Sequence, residues 1–314
     1  MPSSSPPHDS AGSAPIDLRR VRALFAAPKR IAESDFLRRE IAGRMRERLM
    51  LVKIQPDCVL DAGCGAGADL PLLQEQYPDA LVLGVDASTA LLSSALERQR
   101  QAQSSMNRLL AKLLPARRGG GLESGAGLMG GDFAMLPLQR NALDLVWSNL
   151  ALHWHPHPDR VFAEWRRVLR VDGLLMFSCF GPDTFKELRN AFAGVDHAAH
   201  ALSFVDMHDF GDMLVNAGFS TPVMDMETIT VTYETVERLM ADVRAWGGNP
   251  LLTRRRGLLG RHAWNRVVEA LEQGRGRDGR IALTYEIVYG HAFRPTAKTT
   301  AAGDTIIRFD RRER

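Results

Sequence analysis

The sequence predicts an α/β fold, a doubly wound and mostly parallel sheet that carries a helical cap. Three observations predict it. Short apolar segments alternate with segments of helical periodicity between residues 53 and 180. The first apolar segment ends in a glycine-rich turn that opens a helix. Past Gly181 the rhythm changes, and helix-like stretches flank a β-rich piece, Val223 to Tyr233.

The elements follow in order. Residues 1–17, rich in Ser and Pro, read as a disordered terminus without the apolar core of a secretory signal. Residues 18–52 form an N-terminal helical segment. Leu18 to Arg30 is basic and could be read as a mitochondrial transit peptide, but the Ser-Pro-rich start is neither Arg-rich nor amphipathic, so a cytoplasmic protein is expected. From Ser34 to Val52, Phe36, Leu37, Ile41, Met45, Leu49 and Met50 recur at helical spacing, with Arg38, Arg39, Glu40 and Arg44 on the charged face. Cys58 to Leu60 is the first strand and Leu70 to Tyr77 a helix. Ala80 to Val85 is the second strand, with Asp86 at its carboxyl end, and Thr89 to Gln103 is helical.

Residues 104–131 interrupt this core (53–180) with a basic apolar piece and a glycine-rich stretch, Gly119 to Gly131. Two readings stand: a surface insertion with a flexible linker, or a helix touching a membrane or partner. Leu143 to Trp147 is a strand, Asp159 to Arg170 a helix and Leu174 to Phe180 a strand. Residues 181–294 read as a helical cap plus the last strands, ending in Ile281 to Phe293, and 295–314 as a polar tail. Right-handed crossovers put the carboxyl ends of the parallel strands along one rim, where ligands bind.

Bulk properties exclude several classes. Forty Lys and Arg against 37 Asp and Glu leave a net charge of +3, too balanced for a nucleic-acid binder. Cys58, Cys64 and Cys179 contain no C-x-x-C pair, which argues against a disulfide framework and a structural zinc. No apolar run approaches the roughly 18 residues of a membrane span, so no stable membrane insertion is expected.

The chemistry gathers at the strand ends. Gly63, Gly65 and Gly67 let the chain turn sharply and let a ligand approach closely, beside the unpaired N–H groups of a helix start. Gly63, Gly65 and Ala68 also satisfy the dinucleotide pattern, so the turn alone is ambiguous. Asp61, just before the glycines, would repel a pyrophosphate but suits a ligand with an ammonium group. Asp86 is placed to bond two ribose hydroxyls. Asp132 can accept from an adenine amino group while Phe133 covers the base. Asn149 and Leu150 lie past the fourth strand, ahead of His153 and Trp154.

The stretches Val59 to Gly67, Gly84 to Ser88, Gly131 to Leu138 and Asp144 to Trp154 resemble the class I methyltransferases of the type 11 group, over roughly residues 34 to 180. The resemblance implies a Rossmann-like, seven-stranded sheet and S-adenosyl-L-methionine as cofactor. It implies cofactor contacts at Asp61, Gly63, Cys64, Gly65, Asp86, Ala87, Asp132, Phe133, Asn149 and Leu150. Phe180 to Arg189, His208 to Asp212 and Leu283 to Gly290 are similar to the biotin-synthesis methyltransferases, which methylate the free carboxylate of malonyl on acyl carrier protein. The same blocks are similar to a complex I assembly factor that hydroxylates an arginine. Ala26 to Arg30 replaces the Ser-Tyr-Asp signature usual in the biotin group. The resemblance therefore implies an O-methyltransferase acting on a carrier-bound acyl group. A hydroxylase, a methyltransferase for another small molecule and a non-catalytic assembly factor are the alternatives.

Methyl transfer from a sulfonium needs alignment and exclusion of water, and a carboxylate acceptor is already ionised near neutral pH, so no general base is assigned. Arg189 and Arg244 are the candidates to orient an acidic acceptor, against the reading that both are solvated. His153 and Trp154 are candidates to line the acceptor pocket. His153, His155 and His157 alternate with Trp154, Pro156 and Pro158, and no acid or cysteine of suitable spacing joins them, so no metal site is assigned. Arg254, Arg255 and Arg256, with Arg261, form either a solvated face or a surface for an acidic carrier protein.

Overall fold

The computed structural model describes residues 15–32, 35–102 and 126–296. Most of the expected insert, the polar tail from residue 297 and residues 1–14 lie outside the described residues. Seven strands form one sheet in the order β3-β2-β1-β4-β5-β7-β6. They are β1 (Cys58–Ala62), β2 (Leu81–Asp86), β3 (Gly127–Gly130), β4 (Leu143–Asn149), β5 (Leu169–Phe180), β6 (Ser220–Tyr233) and β7 (Ile281–Phe293). β1 to β5 pair in parallel, and β7 runs antiparallel between β5 and β6. The sheet predicted from the alternating pattern is thus the sheet found.

The helices are α1 (Leu18–Leu24), α2 (Pro28–Ala32), α3 (Asp35–Met50), α4 (Leu70–Gln76), α5 (Thr89–Ala102), α6 (Pro158–Val168), α7 (Lys186–Ala193), α8 (Met207–Asn216), α9 (Val236–Ala245) and α10 (Arg261–Gln273). Successive residues of the central strands feed opposite faces. Leu145 and Trp147 join Leu37, Ile41 and Met45 of α3 on one face. Val146 joins Phe162 and Trp165 of α6 and Phe210 of α8 on the other. Both faces of the parallel strands are covered, which is why these segments are apolar throughout.

Three sequence expectations change. The glycine-rich linker stops short of Gly131, because Gly127–Gly130 pairs with Leu83–Asp86 as an edge strand. The sixth helix ends at Val168, since Leu169 already pairs with Leu143. Within residues 1–17, Ile16 is buried and bridges to Leu251.

The order of the strands reverses direction between β1 and β4, so the chain leaves the sheet on both sides of one crevice. The glycine turn after β1 and the loop after β4 face each other there. That reversal positions the site.

Candidate functional site

The turn after β1 has a strained and specific backbone. Gly63, Gly65 and Gly67 have φ of +86°, +53° and +70°. A Cβ on Gly63 would stand 2.3 Å from the Cβ of Ala151, so glycine is what lets the β1 and β4 loops close on each other. Leu150, beside it, holds φ +51°, an uncommon conformation for a branched residue, and its N–H donates to the carbonyl and hydroxyl of Ser178 at 3.1 and 3.0 Å.

The amides of this turn serve the turn itself. Gly63 and Cys64 N–H donate to the Val85 carbonyl at 2.8 and 3.0 Å, Gly65 N–H to Asp86 Oδ2 at 2.9 Å, and Gly67 N–H to the Cys64 carbonyl at 2.8 Å. The unpaired donors expected from the sequence are those of the following helix, which begins at Leu70, and not these four. A pyrophosphate cradle uses such amides, and here they already have partners.

Carboxylates supply the chemistry instead. A cavity of about 360 Å³ lies over the turn, and Asp61, Asp69 and Asp86 all line it. Burial pushes the Asp61 carboxyl well above its usual range, and the charges of Asp69 and Asp86 push it further. Burial also raises Asp69, opposed by hydrogen bonds from Trp147 Nε1 at 2.9 Å and Asn149 Nδ2 at 3.0 Å. Burial raises Asp86, opposed by the N–H groups of Ser88 and Gly65. Three like charges in one desolvated space repel one another, and a ligand with positive centres relieves them.

All of the expected cofactor residues line this cavity except Asp132. Asp132 Oδ1 accepts from Ala134 N–H at 2.9 Å and lies 4.0 Å from His155 Nε2, so it shapes the turn that presents Phe133. Cys64 lines the cavity with its thiol pushed well up by burial, an inert neighbour. Asn149 is held by its own bonds, donating to Asp69 and to the Arg38 carbonyl and accepting from Ser178 Oγ at 3.0 Å.

Two contributors escaped the sequence reading. The first is the N-terminal segment. Val21, Phe25, Pro28 and Ile31 wall the cavity, the Phe25 ring meets Trp154 edge-on at 5.2 Å, and Ser88 Oγ donates to the Phe25 carbonyl at 3.0 Å. The segment is pinned to the cap by Asp17 N–H on the Pro250 carbonyl and Leu252 N–H on the Pro15 carbonyl, at 3.0 and 2.9 Å. No amphipathic pattern marks seven residues as a wall. The second is Arg38, expected on the solvated face of α3. Its guanidinium instead lies over Trp246 beside the cavity, where burial lowers it to about 10, offset by Asp35 and Asp69. It stays charged at neutral pH.

The expected acceptor residues separate. Trp154 borders both the cofactor cavity and a second cavity of about 160 Å³, walled by Phe180, Phe185, Phe204 and Trp246. His153 lines neither of these. Its ring packs on Phe180 at 4.7 Å, its two nitrogens have no hydrogen-bond partner among the described residues, and burial lowers it to about 3. Arg189 donates to the Thr184 and Pro182 carbonyls and lines neither cavity. It belongs to a latch in which Thr184 Oγ1 donates to the Glu286 carbonyl at 3.0 Å and Glu187 accepts from Thr284 N–H at 2.9 Å. The motif blocks around Asp183 and Glu286 are therefore tied to each other. Arg244 is exposed at the outer wall of the second cavity. His155 Nδ1 lies 3.1 Å from the His157 carbonyl, and among the described residues no group of three His, Cys, Asp or Glu could hold a metal ion.

A methyltransferase-domain family matches residues 60–177. Curated malonyl-acyl-carrier-protein O-methyltransferases from Laribacter hongkongensis and Nitrosospira multiformis are 48% and 45% identical. The first match covers 90% of this chain and 91% of the relative, and the second 91% and 92%. Among solved structures, the YcgJ protein from Bacillus subtilis has a TM-score of 0.56 at 13% identity, covering 82% of this chain and all of that one. A putative methyltransferase from Bacillus halodurans has 0.54 at 16% identity, covering 81% and 99%. These two likenesses concern the fold. Among the described residues no helix is long and apolar enough to cross a membrane.

Proposed function

This chain belongs to the family of malonyl-acyl-carrier-protein O-methyltransferases, and on that premise we propose that it esterifies the free carboxylate of malonyl on acyl carrier protein with the methyl group of S-adenosyl-L-methionine. The observation that carries the choice of cofactor is the trio of carboxylates, two buried and Asp86 half-buried, over a turn whose amides are engaged. S-adenosyl-L-methionine, when bound, supplies an electrophilic methyl on a sulfonium, together with an ammonium and a carboxylate. Asp61 would face the ammonium, and Arg38, the part-buried cation at this end of the cavity, would hold the carboxylate. Asp86 keeps lone pairs for the ribose hydroxyls, and Phe133 covers the base.

The acceptor enters past Trp154. Its carboxylate oxygen bonds to the methyl carbon as the carbon–sulfur bond breaks, and the sulfur keeps the electron pair. No proton moves, so no side chain has to act as a base. Phe25 and Trp154 close the reacting end against water.

The test is incubation of the purified protein with methyl-labelled donor and malonyl-acyl carrier protein. The expected product is a labelled methyl ester that alkali releases. Protein that binds the donor yet leaves malonyl-acyl carrier protein unlabelled would overturn the reading.

A further inference from the structure

We propose that the acyl carrier protein docks on an arginine-rimmed face where residues 254–256 meet the end of α9, and that its acyl arm passes inward from there to Trp154. The inference rests on the substrate proposed above and adds the surface and the route. An open depression of about 640 Å³ on this face is lined by Arg20, Arg244, Arg254, Arg255 and Arg256. Its inner wall is shared with the second cavity through Phe192, His200, Met240, Arg244 and Asn249, and that cavity shares Trp154 with the cofactor cavity. The route is therefore continuous in its walls. It is basic outside, largely aromatic and aliphatic past His200, Arg244 and Asn249, and acidic where the methyl donor is proposed to bind.

That sequence of environments matches a carrier-borne substrate. Carrier proteins hold their acyl group as a thioester at the end of a slender arm that a phosphodiester joins to the protein. A rim of guanidinium groups suits the phosphate and an acidic helix around it. Of the five rim arginines, Arg255 alone pairs with a carboxylate among the described residues, Asp196 at 2.6 Å. Arg20 and Arg254 are fixed by backbone carbonyls, donating to Asn249 and Leu251 at 3.0 and 2.9 Å. Their charge is left for a partner. Leu252 and Leu258, 52% and 95% exposed, flank the rim and offer apolar contact between the charges. The inner cavity, about 160 Å³ and walled by aromatic rings, accepts an extended chain and excludes the carrier itself. The whole chain carries only +3, so the attraction is local to this face.

The test compares malonyl-acyl carrier protein with malonyl-pantetheine as substrates of the full-length protein. In the double variant Arg254→Glu, Arg256→Glu, the ratio of kcat/KM for the carrier-bound over the pantetheine-bound substrate falls about tenfold or more. The salt dependence of the carrier reaction flattens as well. Calorimetry with S-adenosylhomocysteine separates this result from misfolding. Met240→Trp, which fills the shared wall, lowers kcat/KM for both substrates. An unchanged ratio in the double variant overturns the docking face, and a Met240→Trp protein with wild-type kinetics overturns the route. Wild-type protein that methylates neither substrate overturns the proposed function and this inference together.

Discussion

The guanidinium of Arg38 lies over the Trp246 ring, 4.3 Å from its centroid, and joins the N-terminal helix α3 to the cap at the junction of two cavities. An arginine on a surface helix would ordinarily be solvated. Here it is stacked on an aromatic ring and lies near Asp35 and Asp69, which keep it charged despite burial. A charge held in this way is placed for an anionic ligand group.

Replacing that charge should therefore be felt by the methyl donor first. Arg38→Gln is expected to weaken S-adenosylhomocysteine binding about 10- to 30-fold, about 1.4 to 2 kcal/mol, as for a lost hydrogen bond to a charged group. Arg38→Lys should recover part of the loss. Calorimetry reads both, and a Gln variant with wild-type affinity would remove Arg38 from the donor site.

Asp61 trades stability for binding. Its carboxyl is raised in the folded protein, so the fold holds that proton more tightly than the unfolded chain does. Stability from this group is fully present below the unfolded value near 4 and is lost as pH rises through the folded value. Asp61→Asn should then unfold at a higher temperature than the wild-type apoprotein at pH 7.5, with the gap closing toward pH 4. The variant should also bind the donor poorly. Thermal melts across that range check the sign.

Gly63 cannot carry a side chain. A left-handed φ and a Cβ that would fall 2.3 Å from Ala151 Cβ together predict that Gly63→Ala costs about 2 kcal/mol or more. Urea unfolding measures the cost. A destabilisation within 0.5 kcal/mol of zero, roughly the range for surface changes, would show that the β1 and β4 loops can part without penalty.

Phe25 holds the N-terminal wall against Trp154. Phe25→Ala should speed S-adenosylhomocysteine release about tenfold, about 1.4 kcal/mol, in line with loss of an aromatic pair and its buried area. Stopped-flow displacement would show it.

The pH profile tests the absence of a base. His153 is held neutral with its value lowered to about 3, and the acceptor carboxylate is ionised above pH 5. The value of kcat should therefore be flat from pH 6 to 8.5. A rise controlled by a group near 6.5 would contradict a reaction in which no proton moves.

The sequence by itself determined the parallel strands, the glycine turn and the carboxylates Asp61 and Asp86 at the ends of β1 and β2. Those features are local: an apolar run must be buried, a glycine sequence must turn, and a strand-end residue must face the rim. The motif blocks around Asp183 and Glu286 were equally visible, but their partners were not, and only the fold tied them into a latch that takes Arg189 out of the acceptor pocket. Tertiary structure also decided that Arg38 turns inward, that α1 and α2 wall the cavity and that His153 is packed behind the pocket it was expected to line. Each of these depends on contacts between residues far apart in the chain, such as Arg38 with Trp246 and Phe25 with Trp154. Periodicity reports which residues share a face of one element. It carries no information about which other element that face will meet.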